Sequence, residues 1–184
     1  LMSQPPVSLI PMLCTRCQTP VEAQPDEVFW VCQNCGQGLL VSDEKGLAAQ
    51  VFHYGAGLLQ NAKGKPIWVF WGQAVIQRQT FNNLFGDKTQ EMVDFWQQPR
   101  WFFIPAYELP LDQLIQTSVN LLRQPIGLQE AQTPSAFLPV TIHPQDLRPL
   151  VEYLILAVEA ERKDQLKSLD FTLQMSEPEL WILP

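Results

Sequence analysis

The sequence has few of the residues on which enzymes usually depend. Its 184 residues include two histidines and four cysteines. There is no Gly-x-Ser-x-Gly nucleophile elbow and no carboxylate-rich metal loop. His53 and His143 have no cysteine nearby and no partner at ligand spacing, and His143, just before Pro144, fits a helix N-cap. These absences argue against an enzyme, although an active site can also be assembled from residues that leave no local motif.

Basic residues are scarce and scattered along the chain. Twelve Lys and Arg stand against 19 Asp and Glu, which gives a net charge of −7. Such a chain repels phosphate backbones unless its basic residues cluster. Lys63 and Lys65 form only one small pair, and Gly57 and Gly64 are too far apart for a phosphate-binding loop. The charge pattern therefore argues against nucleic acid as the partner.

Long apolar runs are absent too. The longest fall far short of the ~18 residues that a membrane span requires. Residues 1–11 contain three prolines and no Lys or Arg, so they predict a flexible segment and not a signal peptide. We therefore expect a protein with no membrane span in the reducing environment of the cytoplasm.

The four cysteines form two Cys-x-x-Cys pairs, Cys14 with Cys17 and Cys32 with Cys35, separated by fourteen residues. Two such pairs on one β-hairpin supply the tetrahedral sulfur cage that Zn²⁺ prefers, with Zn–S near ~2.3 Å. Because sulfur fills all four positions, the predicted site is structural and leaves no place for a substrate. Iron uses the same ligands and remains an alternative, whereas disulfides would need an oxidising compartment.

The residues around the cysteines are typical of a ribbon. The position after each pair often needs a positive φ, which suits Gly36 and suits Gln18 less well. Residues 28–31 and 39–41 predict strands, and residues 24–27 predict the turn between the two knuckles.

The stretch from CTRCQTPVEA to VFWVCQNCG, within residues 12–42, resembles the rubredoxin-like, four-cysteine zinc ribbon at the N-terminus of uncharacterised bacterial proteins. The resemblance implies the ribbon fold and the metal. Ribbons of this kind occur in transcription factors, polymerase subunits, ribosomal proteins and protein-binding adaptors, so the resemblance does not select a partner.

After a ribbon at residues 12–47, residues 48–184 predict an α+β domain that unfolds separately from it. Its expected architecture is a mixed β-sheet with two main helices and a C-terminal β-hairpin. Residues 67–77 predict a strand covered on both faces, and alternation over residues 169–175 followed by residues 179–183 predicts the hairpin. Asp87 and Gln90 stand at capping-box spacing before a short helix.

A pattern F-[IL]-P-x4-P-x-D occurs twice, 34 residues apart, and predicts two similar strand-to-helix units. The second helix, residues 144–163, should bury one apolar face and expose Glu159 and Lys163 as an i,i+4 pair. The pattern comprises the following residues: Phe103, Ile104, Pro105, Pro110 and Asp112, then Phe137, Leu138, Pro139, Pro144 and Asp146.

The six tryptophans suggest a role. Most should fill the core, but exposed ones, with Trp68, Trp71 and Trp101 as candidates, are typical anchors of protein interfaces. The leading hypothesis is a non-catalytic zinc-ribbon adaptor or accessory subunit that binds protein partners in an intracellular assembly. A nucleic-acid-associated ribbon protein is the alternative and an enzyme the third reading. The oligomeric state stays open.

Overall fold

A computed structural model describes residues 11–59, 61–81, 88–162 and 164–184. Its N-terminal part is a three-stranded antiparallel sheet of β1 (Phe29–Val31), β2 (Gly38–Ser42) and β3 (Gly46–Ala49), in that order. β1 and β2 are the predicted strands. β3 was not predicted, and it runs through the boundary expected at residue 47.

The larger sheet has six strands and matches the predicted mixed α+β architecture. The order is β6-β5-β9-β4-β7, and β8 also pairs with β5. β4 and β9 are parallel, and the other pairs are antiparallel. The strands are β4 (Phe52–Gly55), β5 (Lys65–Thr80), β6 (Arg100–Pro105), β7 (Glu130–Ala131), β8 (Leu166–Met175) and β9 (Glu179–Leu183).

Three helices cover one face of this sheet: α1 (Thr89–Trp96), α2 (Leu111–Arg123) and α3 (Leu147–Ala160). α2 and α3 are the two predicted main helices. A 3₁₀ turn precedes α3, and there His143 Nδ1 accepts a hydrogen bond from the Gln145 backbone N–H at 3.2 Å, as its N-cap position predicts. In the part of the chain that the structure describes, no helix is long and apolar enough to cross a membrane.

β5 divides the core into two layers because its side chains alternate between the faces of the sheet. Trp68, Phe70 and Ile76 lie in the main core beneath the helices. Ile67 and Val69 point the other way, into a smaller cluster on the opposite face. The first half of β5 is thus covered on both faces, as predicted, whereas its second half is covered on one.

The prediction of a C-terminal hairpin is wrong. β8 and β9 do not pair with each other; both pair with β5, Met175 opposite Gly72 and Glu179 opposite Val69. β8 pairs with the second half of β5 and β9 with the first half, so the two strands follow each other along it. Their pairing registers with β5 differ by one residue. The long edge of β5 accommodates both strands, so the chain need not reverse direction.

The repeated pattern gives two different local structures. The first copy is a strand followed by a helix, β6 and α2, as expected. In the second copy, Phe137 and Val140 form isolated bridges with Gly64 and Phe29 instead of a regular strand. Pro139 lies between the bridges and has no N–H to donate, which prevents a continuous ladder.

Glu159 is buried, contrary to the predicted exposed pair, and Lys163 lies outside the described residues, as does Asp87. Glu159 Oε1 accepts from Trp96 Nε1 at 2.9 Å, and Oε2 accepts from Arg162 Nε at 2.9 Å. Arg78 Nε lies 3.3 Å from the same carboxylate. Position 159 continues the apolar stripe of α3 one turn beyond Ile155, so its carboxylate needs these partners.

Arg78 connects the buried cluster of Glu159, Trp96 and Arg162 to a second carboxylate, that of Asp164. Its two terminal nitrogens donate to Asp164 at 2.5 and 2.7 Å, and both side chains are fully buried. The Lys88 backbone N–H also donates to Asp164, at 3.2 Å. The cluster therefore fastens the end of α3 to β5 and to the start of α1.

The small sheet shares its packing with the large one. Phe29 is 2% exposed and lies in the main core, where its ring contacts those of Phe52 and Phe137. The Val28 backbone N–H donates to the Val140 carbonyl at 2.9 Å. This shared packing gives a physical reason to revise the expectation that the two parts unfold separately.

Candidate metal centre

Two similar knuckles carry the four cysteines. The Cys14 carbonyl accepts the Gln18 backbone N–H at 2.9 Å, and the Cys32 carbonyl accepts that of Gly36 at 2.8 Å. Gln18 has φ 60° and Gly36 has φ 71°, so both take the left-handed conformation. Gln18 also donates through its side-chain amide to the Cys14 carbonyl at 3.2 Å, which offsets part of its backbone strain.

A second hydrogen bond closes each knuckle in the same way. The Cys14 backbone N–H donates to the Thr19 carbonyl at 2.9 Å, and the Cys32 N–H donates to the Gln37 carbonyl, also at 2.9 Å. The local backbone thus repeats around the two pairs and directs both toward one point.

The four sulfur atoms lie in one cluster. The Sγ atoms of Cys14 and Cys35 are 3.6 Å apart, those of Cys17 and Cys32 are 3.5 Å apart, and all four lie within 4.8 Å of one another. A tetrahedral site with metal–sulfur bonds of ~2.3 Å has sulfur–sulfur edges of ~3.8 Å. All four cysteines are free of disulfides. The group can therefore hold a metal ion.

An apolar shell surrounds one side of the cluster. Cys14 and Cys32 are buried with Trp30, Leu39 and Leu47, whereas the other two cysteines are half-buried. The shell restricts the access of water to two of the four sulfurs and strengthens electrostatic attraction there.

The thiol pKa values show why a cation suits this cluster. A hydrogen bond from the Thr19 hydroxyl, together with one from Asn34, lowers the pKa of Cys17 to about 5. At Cys35 the Gln37 backbone N–H lowers the pKa, but burial and the neighbouring sulfurs outweigh it and raise the value to about 12. These opposite shifts within one cluster indicate that the sulfurs compete for negative charge, which a bound cation would offset.

Backbone amides also stabilise negative sulfur. Burial alone would raise the pKa of Cys14, but hydrogen bonds from the Cys17 and Arg16 backbone N–H groups lower it below its ordinary value. These two amides of the first knuckle therefore favour the thiolate form of Cys14.

Neither histidine lies at the cysteine cluster. His53 is held between two carboxylates, with Nδ1 3.0 Å from Glu130 and Nε2 3.6 Å from Glu179, and its ring stacks on Trp181. His143 Nε2 donates to the Val41 carbonyl of β2 at 2.9 Å. Within the described residues, the four cysteines are the one group suited to hold a metal.

A pair of tryptophans forms a second candidate site. Trp71 on β5 lies opposite Trp101 on β6, with ring centroids 3.9 Å apart, and Trp71 is 43% exposed. Trp68, the third candidate, is fully buried, and its indole N–H donates to the Ile142 carbonyl. Alternation along β5 could have separated these tryptophans from sequence, because positions 68 and 71 lie on opposite faces.

Comparison with protein-family models, with curated proteins and with solved structures gives no match to this chain. The cysteine cluster and the tryptophan pair are therefore the two features that bear on its function.

Proposed function

We propose that the cysteine cluster binds one Zn²⁺ and that the metal has a structural role. The proposal is supported by the convergence of four sulfurs to nearly tetrahedral spacing. Four thiolates fill the coordination sphere of zinc and leave no open position for water or substrate. The half-buried site next to Trp30 and Leu39 is accordingly expected to stabilise the fold without carrying out chemistry.

Elemental analysis of purified protein tests this assignment, with one zinc per chain as the expected result. The Cys35→Ser variant should lose most of the metal, whereas Gln33→Ser, in the same knuckle but without a ligand atom, should retain it. Iron with visible thiolate absorption would replace zinc in the proposal. A metal-free protein with paired disulfides would refute the site and the expected reducing location.

We further propose that the chain is a non-catalytic adaptor or accessory subunit that binds a protein partner through Trp71 and Trp101. The observation that carries this proposal is their close, tilted ring pair on the face of the sheet opposite the main core. Tryptophan is the residue most enriched in binding hot spots, because it offers a large apolar area and one hydrogen-bond donor. Val75, 62% exposed on the same face of β5, extends the apolar surface.

The charge around this surface supports a protein partner more than a nucleic acid. Bases also stack on aromatic platforms, but single-strand binding normally adds a basic groove for the phosphates. Arg100, which precedes Trp101, is already engaged: its guanidinium lies over the Phe95 ring and donates to the Phe95 carbonyl. The chain as a whole carries a net charge of −7.

The test compares partners recovered from native cells by the wild-type chain, by Trp71→Ala and by Phe81→Ala. Phe81 is a matched control because it is an exposed aromatic residue, 70% accessible, that immediately follows the far end of the same strand. A specific partner should be retained by Phe81→Ala and lost by Trp71→Ala. The same difference should appear when the complex is reconstituted from the purified chain and the purified partner.

Partners retained equally by both variants would refute this surface. A parallel assay with single-stranded DNA and RNA examines the alternative. Tight binding that weakens steeply with salt and is lost in Trp71→Ala would identify a nucleic-acid-binding protein instead.

A further inference from the structure

A cleft separate from the cysteine cluster and from the tryptophan pair opens where β4, β5 and β9 meet α2. Its volume is about 550 Å³, within the range of small-molecule sites, which is about 300–1,000 Å³. Its walls include Lys65 and Ile67 of β5, Thr117 and Leu121 of α2, and Leu183 of β9. Regular elements thus supply half of the residues that line the cleft.

One wall of the cleft is the connection between α2 and β7. Ile126, Gly127 and Gln129 of this connection line the cleft. The Gln129 carbonyl accepts the Ala56 backbone N–H at 2.7 Å, which ties the connection to the end of β4. The wall is therefore anchored to the sheet.

The floor of the cleft is apolar. Ile67 and Leu183 are buried in the small cluster on the second face of the sheet, and Leu121 packs against that cluster. An apolar floor of this kind binds the hydrocarbon part of a ligand by removing both surfaces from water.

Four polar side chains line the rest: Lys65, Tyr107, Thr117 and Gln129. In the part of the chain that the structure describes, none of these four side chains forms a hydrogen bond or an ion pair with any other protein group. All four are therefore available to a ligand. The Tyr107 hydroxyl is protonated at neutral pH and can donate a hydrogen bond, and burial raises its pKa further.

The charge of the lining is opposite to that of the whole chain. Lys65 contributes a positive charge, and among the residues that the structure describes no Asp or Glu side chain lines the cleft, although the chain has a net charge of −7. We propose that this cleft binds a small molecule with an apolar body and one anionic group, the body on Ile67, Leu121 and Leu183 and the anion at Lys65.

Two fluorescent probes separate these contributions: anilinonaphthalene sulfonate, which is an apolar anion, and phenylnaphthylamine, its uncharged counterpart. Each is titrated into the wild-type chain, Lys65→Met and Lys63→Met. Lys63 is the matched control because it is exposed two residues away and does not line the cleft. All three proteins should fold alike, since both lysines are at the surface.

The sulfonate should bind Lys65→Met about fivefold more weakly than wild type, the loss expected of one exposed ion pair of ~1 kcal/mol. Lys63→Met should bind it like wild type, and the uncharged probe should not distinguish the three proteins. Methyl NMR shifts should centre on Ile67, Leu121 and Leu183.

Equal sulfonate affinity in Lys65→Met and wild type would overturn the assignment of the anionic position. Shifts centred on Val75, beside the tryptophan pair, would overturn the cleft as the binding site. The methyl shifts do not depend on either lysine variant, so the proposal can be refuted even if a variant misfolds.

Discussion

Replacing Cys32 with serine should destabilise the whole described chain and not the ribbon alone. The substitution removes one of the four proposed metal ligands, and structural zinc contributes about 10–16 kcal/mol of apparent binding free energy in isolated finger peptides. Without the metal, a ribbon this small has too little apolar core to stay ordered. When the ribbon loses its ordered structure, Phe29 is removed from the main core.

The size of the effect follows from that packing. Truncation of a buried phenylalanine costs about 3–5 kcal/mol, and loss of the Val28–Val140 hydrogen bond costs about 1 kcal/mol more. Together these amount to about 4–6 kcal/mol, a large part of the ~5–15 kcal/mol that stabilises a typical domain. At about 2–4 °C per kcal/mol for a chain of this size, the melting temperature should fall by roughly 8–24 °C.

Thermal unfolding and hydrogen exchange measure this coupling. Exchange of the α3 and β5 amides should accelerate in Cys32→Ser and on chelation of the metal, but not in Gln33→Ser. Phe29→Ala, which keeps every metal ligand, should reproduce most of the loss. If α3 and β5 keep wild-type protection while the ribbon amides exchange freely, the two parts unfold independently and the packing of Phe29 does not couple them.

Three further predictions concern single positions. Gly38→Ala should cost about 1–3 kcal/mol in urea unfolding, because its Cβ would lie 2.3 Å from a backbone oxygen, whereas Gly127→Ala, with no atom within 4 Å, should be neutral or stabilising. His143→Ala should cost about 1–3 kcal/mol, since it removes both a helix cap and a hydrogen bond to β2; unchanged urea unfolding would contradict this. Burial would raise the pKa of Asp164, but hydrogen bonds from Arg78 and a backbone amide, with the Arg78 charge, lower it below 3.8. Because the folded pKa is depressed, this carboxylate stabilises the fold above about pH 3.8, and the contribution is lost as the pH falls through the lowered value. Asp164→Asn should therefore lose about 3–5 kcal/mol at pH 7 and show a flatter acid denaturation curve than wild type.

Local patterns predicted local structure well. The cysteine spacing indicated which four sulfurs converge, because knuckle geometry depends on a few neighbouring residues such as Gly36. His143 before Pro144 indicated the N-cap of the turn that precedes α3 for the same reason. In both cases the deciding hydrogen bonds join residues close in sequence.

Features that depend on distant residues could not be predicted in this way. Nothing near Glu159 reveals that Arg78 and Trp96 lie beside it, so its charge suggested an exposed position. The break between residues 175 and 179 suggested a hairpin turn, whereas β8 and β9 both pair with the long edge of β5 and run in the same direction. Phe29 looked like part of a small ribbon because its partners in the main core come more than twenty residues later.

The pairing of β5 with β8 and β9 also affects the order of events during synthesis. Lys65 pairs with Leu183, so β5 leaves the ribosome more than one hundred residues before its partner. At about 5–20 residues per second, it waits roughly 6–24 s with one edge unpaired. During that interval its apolar stretch around Trp68 can pair with other chains, a known route to aggregation. Cells that make this protein are therefore expected to need chaperone protection of the nascent chain, and slower translation should lower the yield of folded protein.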